Sequence, residues 1–289
     1  MPAGKEPMRR NVMLPDFILV GGMKCGTTSL AQQIHSHPEI FMPDIKEPQF
    51  FSIEDRWSRG REWYEGLFAG AEGAKAVGEA STTYTMYPVV QRVPQRMASL
   101  IPNARLLYMV RDPIDRLMSH YMHEWYAGRL NVELPVAVES DRRLVDYGRY
   151  YYQIEQFLPY FPADRWQVLL FEDFKENPRA TSRVVYTFLG VDAQHVPPDL
   201  GAKNVTADKV RWPLWLRAAR QMGFAARAAK AILPNRFVDR LRRTGCTREK
   251  PQLSGELRAR LVQEFQPDVE ALSDFVGRDL RKVWRMTGA

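Results

Sequence analysis

Four short apolar runs set the rhythm of the chain, and each ends at glycine or at charge. Residues 17–20 (FILV) stop at Gly21-Gly22, and residues 76–81 (AVGEAS) carry one carboxylate, Glu79. Residues 104–110 (ARLLYMV) end at Arg111-Asp112-Pro113, and residues 165–171 (RWQVLLF) lead into Glu172-Asp173-Phe174. Runs of this length, rich in branched and aromatic residues, read as strands buried on both faces. Helical spacing fills the intervals: from Gly26 to about His37, where Pro38 stops it; 56–68, with Trp57, Trp63, Tyr64 and Phe68 toward the core; 88–100, with proline at its first position; 113–128; 150–160; and 178–189, closed by Gly190. Asp112 suits a helix cap and Pro113 the first turn after it. Residues 38–51, with prolines bounding short apolar pieces, read as an irregular connection.

Strands alternating with helices predict an α/β fold, a three-layer arrangement with a central parallel sheet flanked by helices. Beyond about Asp192 the pattern turns helical and basic, interrupted by Pro213, Pro234 and the 244–251 stretch, with a last amphipathic helix over 254–275. The expected organisation is a single domain over 1–289: an α/β core at 16–190 and a helical C-terminal cap at 192–289 packed on it.

Composition agrees, with 289 residues of which 45% are hydrophobic and 11% aromatic. No run approaches the roughly 18 apolar residues a membrane-spanning helix needs. Residues 1–15 hold Lys5, Arg9 and Arg10 without an apolar stretch behind them, so no secretory leader is expected. Two cysteines, Cys25 and Cys246, give no disulfide framework, and a cytoplasmic location is the economical expectation. The net charge of +7 is concentrated: between Arg211 and Arg243 nine cationic side chains face Asp239 alone. Charge of that kind suits nucleic acid, an acidic substrate or an anionic membrane surface.

The chemistry concentrates in residues 16–37. A strand, a glycine turn and a helix start form an anion cradle, because the first N–H groups of a helix lack partners and its dipole adds roughly half a positive charge. The glycines let the backbone approach a phosphate closely. Gly21 and Gly26 stand as in G-x-x-x-x-G-K-[ST], but Thr27 occupies the lysine position and the loop's lysine is Lys24. That arrangement suits a phosphate-type ligand neutralised without magnesium, so no metal is expected; the plain alternative is a glycine turn before a surface helix. Arg111 falls at the carboxyl end of the third strand, on the edge where open α/β sheets bind ligands.

Taken together, these motifs resemble the sulfotransferases that use 3′-phosphoadenosine 5′-phosphosulfate (PAPS). Gly22-Met23-Lys24-Cys25-Gly26-Thr27-Thr28-Ser29 is similar to their 5′-phosphosulfate loop. Arg111-Asp112-Pro113 with Arg116, Ser119 and Tyr121 resembles their 3′-phosphate motif, R-[ND]-P-x-x-R-x-x-S-x-Y, about 85 residues downstream. Lys46-Glu47-Pro48 with Phe50-Phe51, Gly78-Glu79, Gly148-x-Tyr150 and Leu170-x-Glu172-Asp173 are similar to segments of the carbohydrate branch, including the heparan sulfate enzymes. The resemblance covers 16–190 well and the C-terminal third loosely.

It implies PAPS as cosubstrate and an alcohol or amine acceptor on a carbohydrate, glycolipid or small molecule. Lys24 would stabilise the oxygen bridging sulfur and phosphorus, while Cys25, Gly26, Thr27, Thr28 and Ser29 hold the 5′-phosphate. Arg111 and Ser119 would hold the 3′-phosphate, with Arg248, in Thr247-Arg248-Glu249-Lys250-Pro251, as a second contact. Glu79 would be the general base; the plain alternative pairs it with a basic neighbour. His35 and His37 read as surface or packing residues, and His120 and His123 have no motif role. Cys25 reads as a small space-filler.

Two other readings stand beside this one: a small-molecule kinase with a degenerate phosphate loop, and a non-enzymatic nucleotide- or polyanion-binding module. No nucleic-acid partner is expected. The 211–243 segment reads first as a solvated cap face attracting an anionic nucleotide, and second as a peripheral contact with an anionic membrane that admits a lipid-linked acceptor.

Overall fold

A computed structural model describes residues 13–197 and 249–286. In chain order these form β1 (Phe17–Gly21), α1 (Thr27–His35), β2 (Ile40–Phe41), α2 (Glu54–Trp57), α3 (Gly60–Gly66), β3 (Ala76–Ala80), α4 (Val93–Leu100), β4 (Arg105–Val110), α5 (Pro113–Tyr126), α6 (Leu134–Ser140), α7 (Arg143–Asp146), α8 (Tyr150–Glu155), β5 (Trp166–Leu170), α9 (Phe171–Glu176), α10 (Pro178–Leu189), α11 (Gly255–Val276) and α12 (Leu280–Val283). The five strands make one sheet in the order β2-β3-β1-β4-β5, every pairing parallel. The expected α/β class is therefore the observed one. Because the strands run parallel, their carboxyl ends share one edge, and β1 lies at the centre of it with every residue buried.

Helices flank the sheet. Helix α1 meets α10 through buried Gln33, whose Oε1 accepts from Ser182 Oγ at 2.6 Å and whose carbonyl accepts from Tyr186 Oη at 3.1 Å. Helix α11 buries Leu257, Leu261, Phe265, Val269 and Leu272, a stripe three to four residues apart, in the same core as the strands. Ser254 caps it, accepting from Leu257 N–H at 3.2 Å. The Asp268 carboxylate accepts from the N–H groups of Tyr151 (3.2 Å) and Tyr152 (2.8 Å), fastening α11 to the start of α8.

Several boundaries differ from the sequence expectation. The 38–51 connection contains β2, which pairs with β3. The 56–68 helix is two short ones, broken before Gly60 at φ 79°. Helix α4 begins at Val93 rather than at Pro88, because Pro94 occupies the first turn and Arg92 ahead of it is left-handed. The 150–160 helix ends at Glu155, and α5 ends at Tyr126 with Gly128 left-handed behind it. Helices α6 and α7 were not anticipated; α6 has Pro135 in its first turn and buries Leu134, Ala137 and Val138. The basic 211–243 segment, Cys246 and Arg248 lie outside the described residues.

Since α11 shares the sheet's core, truncating its central aromatic should weaken the whole molecule. Phe265→Ala is expected to cost about 3–5 kcal/mol, seen in urea denaturation as a lower midpoint of a single transition. A second, separate transition for the C-terminal helix would show that it folds apart from the sheet.

Candidate active site

Beyond β1 the chain turns tightly against β4. Gly22 N–H donates to the Met109 carbonyl at 2.7 Å, and a Cβ on Gly22 would lie 3.1 Å from that oxygen and 3.2 Å from Cys25 Sγ. Lys24 is left-handed at φ 69° and Gly26 at φ 86°. A Cβ on Gly26 would stand 2.7 Å from the Phe171 ring, so only glycine fits there. No side chain caps α1. Its first N–H groups, at Thr27 and Thr28, open toward the loop as helix starts do at anion sites. Cys25 is fully buried, and burial pushes its thiol up to about 11, as expected of a packing residue.

Arg111 stands at the end of β4, next to this loop. Asp112 caps α5, its carboxylate accepting from Ile114 N–H (2.8 Å) and Asp115 N–H (3.1 Å). Asp112 N–H donates to Glu172 Oε1 at 2.9 Å, which ties β4 to α9. The Arg111 guanidinium lies 5.0 Å from the centre of the Phe171 ring and 3.1 Å from Asp115 Oδ2. One aromatic ring thus touches both the Gly26 turn and the Arg111 cation. Tyr150, fully buried, links the same two features: its hydroxyl donates to the Arg111 carbonyl (2.8 Å), receives Arg111 N–H (3.3 Å) and lies 3.5 Å from Cys25 Sγ. Ser119 lies one helical turn beyond Asp115 on α5, hence on the same face. Arg116 is fully buried beneath, bonded to the Leu144 carbonyl and 3.4 Å from His120 Nδ1. Lys250 Nζ reaches Asp115 Oδ1 at 3.3 Å, which brings the segment next to Arg248 to this site.

Glu79, on β3, is only 1% exposed. Its partners are hydroxyls: Tyr84 donates at 2.6 Å, Ser81 at 2.7 Å and Tyr64 at 3.3 Å. Three donors favour the carboxylate, yet burial outweighs them and pushes Glu79 up to about 7. The expected alternative of a basic partner is not what these contacts provide. Glu79 lies on a cleft of about 490 Å³ that also takes in Thr27 and Thr28 from the phosphate loop. His35, read as a surface or packing residue, faces this cleft from the last turn of α1. His37 is buried against the Asp192 carbonyl at 2.9 Å. Burial holds buried His120 well below the usual histidine range.

Thr27, Thr28 and Glu79 therefore line one cleft, and Arg111 is tied to the same loop through Phe171 and Tyr150 at the carboxyl ends of β1 and β4. Lys24, Arg111 and Ser119 are not among the residues that line the cleft. Sequence reasoning missed the roles of Phe171 and Tyr150 and the hydroxyls around Glu79. Tyr150 carried a signal, the Gly148-x-Tyr150 pair, without a stated task. Among the described residues no group of three or more His, Cys, Asp and Glu side chains is placed to hold a metal ion.

Residues 14–212 match the family model for the sulfotransferase domain, and the chain belongs to that family. Its backbone is similar to the crystal structure of a sulfotransferase from Alicyclobacillus acidocaldarius, with TM-score 0.69 and 29% identity, over 95% of this chain and 100% of the other. It is 28% identical over 199 residues to the human bifunctional heparan sulfate N-deacetylase/N-sulfotransferase 2, covering 62% of this chain and 22% of that protein. The membrane-associated sulfotransferase kil1 of Dictyostelium discoideum is 35% identical over 111 residues, 37% of this chain and 22% of that one. The chain thus spans about a fifth of the length of these curated relatives.

Two stability outcomes follow from this geometry. Gly26→Ala meets both a left-handed backbone and the Phe171 ring, and should lower the melting temperature. Glu79 is held above the usual carboxylate range, so the fold penalises its ionised form: full stability is present below its unfolded pKa and is lost as pH rises through about 7. Glu79→Gln removes that loss. Its stability relative to wild type should rise between pH 5 and pH 8 by roughly 3 kcal/mol, measured by urea titration at each pH.

Proposed function

We propose that this protein is a sulfotransferase that moves a sulfuryl group from PAPS to a hydroxyl or amine of a carbohydrate, glycolipid or small-molecule acceptor. The observation that carries the reading is the double link between the phosphate loop and Arg111, through Tyr150 and through Phe171. Two anion-binding features joined this closely suit one ligand bearing phosphates at both ends.

In this reading the N–H groups of 25–29 and the hydroxyls of Thr27 and Thr28 hold the 5′-phosphate. Arg111 offers a forked, permanently charged donor to the 3′-phosphate, helped by Ser119. Arg248 is assigned to the same phosphate, supported by the reach of neighbouring Lys250 to Asp115. PAPS supplies an activated sulfuryl group on its 5′-phosphate. As the acceptor oxygen bonds to sulfur, the sulfur–oxygen bond to that phosphate breaks and the acceptor proton passes to Glu79. Charge gathers on the departing phosphate oxygen, where Lys24 and the helix start stabilise it. A base with a pKa near the working pH suits this task, and Glu79 has one.

The kinase reading is disfavoured because Thr27 stands where a nucleotide-hydrolysing loop carries its lysine. Among the described residues no helix is long and apolar enough to cross a membrane. A cytoplasmic location is kept as the working reading, with 211–243 read first as a solvated face attracting the anionic nucleotide and second as a peripheral membrane contact; no nucleic-acid partner is assigned.

Transfer from radiolabelled PAPS tests these roles. Lys24→Ala should lower kcat by about 10²–10³-fold, and Glu79→Gln by about 10²–10⁴-fold. Arg111→Lys should chiefly raise the KM for PAPS, because lysine cannot fork. Wild-type kcat/KM should climb as pH rises through about 7, where Glu79 loses its proton. A pure binding module would show no transfer and would keep its affinity with Lys24 and Glu79 both changed to alanine.

A further inference from the structure

Arg116 stands in the same motif as Arg111 and Ser119, yet its side chain is fully buried. Its Nη2 donates to the Leu144 carbonyl, its Nη1 lies 3.4 Å from His120 Nδ1, and its Nε meets no acceptor among the described residues. The titratable groups that face it are Cys25 from the phosphate loop, Tyr108 from β4, Tyr147 and Tyr150 around the start of α8, and His120 on its own helix. Burial keeps each of these uncharged: the thiol is pushed up to about 11, the three phenols rise above their ordinary value, and His120 falls well below its own. Two carboxylates lie in the neighbourhood and are engaged elsewhere, Asp268 by the N–H groups of Tyr151 and Tyr152 and Glu172 by that of Asp112. Arginine keeps its proton even where burial lowers its pKa. A permanent charge therefore sits in the core bonded only to neutral groups, which costs free energy unless an anion comes within its reach.

The surroundings hold the guanidinium in that place. A Cβ on Gly148 would stand 3.0 Å from Arg116 Nε, so the glycine of the Gly148-x-Tyr150 pair leaves room for Arg116 while the tyrosine grips Arg111. The charge of Arg116 is felt at Cys25 together with that of Arg111, and at His120 together with that of Lys24. Three cations thus act on one region, the joint between the phosphate loop and the end of β4. Through a protein interior such a charge is screened far less than at the surface. Resting on the sulfotransferase reading above, we infer that Arg116 is a positioning residue for the nucleotide: a buried, fixed cation that attracts the phosphates from behind the loop without touching them.

Calorimetric titration of the full-length protein with adenosine 3′,5′-bisphosphate tests this. Arg116→Gln keeps an amide donor for the Leu144 carbonyl and removes the charge. It should weaken binding about tenfold or more, equivalent to about 1.4 kcal/mol. Phe265→Ala opens the packing beside Gly148 and leaves every charge in place. It should lower the melting temperature while the dissociation constant stays within about twofold of wild type. Arg116→Lys supplies a second readout, and decides alone if Arg116→Gln does not fold. A buried ammonium gives up its proton more readily than a guanidinium, so its affinity should fall relative to wild type between about pH 6 and pH 9. Wild-type affinity in Arg116→Gln, equal losses in Arg116→Gln and Phe265→Ala, or an Arg116→Lys affinity parallel to wild type across that range overturns the inference. Failure of the wild-type protein to bind the bisphosphate would instead bring down the sulfotransferase reading itself.

Discussion

The pairing of β1 with β4 is the constraint on which the site depends. Strand β1 is followed by the phosphate loop and β4 by Arg111, so their parallel register delivers both to one edge of the sheet. The pairing continues past the strand, where Gly22 N–H meets the Met109 carbonyl at 2.7 Å. Backbone hydrogen bonding alone leaves the facing side chains free to adjust. Tyr150 removes part of that freedom: from the core side it grips both backbone atoms of Arg111 and touches Cys25. Phe171 does the same from the other side, packed on Gly26 and under the Arg111 guanidinium. A binding edge held at several points needs little rearrangement when a ligand arrives, which is the physical basis of preorganisation.

The second organising tension is at Glu79. Three hydroxyls stabilise its carboxylate while the surrounding protein disfavours charge, and the second effect wins. Tyr64 and Tyr84 are themselves fully buried in the aromatic cluster of Phe50 and Phe51, so the donors cannot swing away. The fold therefore carries a carboxylate that destabilises it near neutral pH, a cost familiar at functional sites. At the other phosphate position, Arg111 and Lys250 share Asp115. That network holds three charged side chains together where the 3′-phosphate is assigned.

Much of this was legible in the residues. Short apolar runs, two ending at Gly21 and Arg111 and one carrying Glu79, gave the parallel strands, because a strand buried on both faces has few polar positions to disguise it. The glycine turn before α1 was legible because Gly21, Gly22 and Gly26 stand between an apolar run and a helical pattern. What stayed hidden was whatever depends on three-dimensional register. Tyr150 acts through backbone atoms of Arg111, which leave no complementary side chain in the sequence. Phe171 reads as the end of an apolar run until the fold lays it on Gly26. Strand β2, two residues long and flanked by prolines, has too little pattern to separate from a loop. Glu79 was visible as an odd carboxylate, but nothing in the sequence shows that Ser81 and Tyr84 just behind it and Tyr64 from α3 turn their hydroxyls onto it.

The central claim is that one nucleotide spans the phosphate loop and Arg111. A crystal structure with adenosine 3′,5′-bisphosphate tests it most directly. The account predicts the 5′-phosphate on the N–H groups of Thr27 and Thr28, and the 3′-phosphate within hydrogen-bond distance of the Arg111 guanidinium. A nucleotide bound elsewhere, or bound at the loop with its 3′-phosphate turned away while Arg111 remains on Asp115, would contradict it.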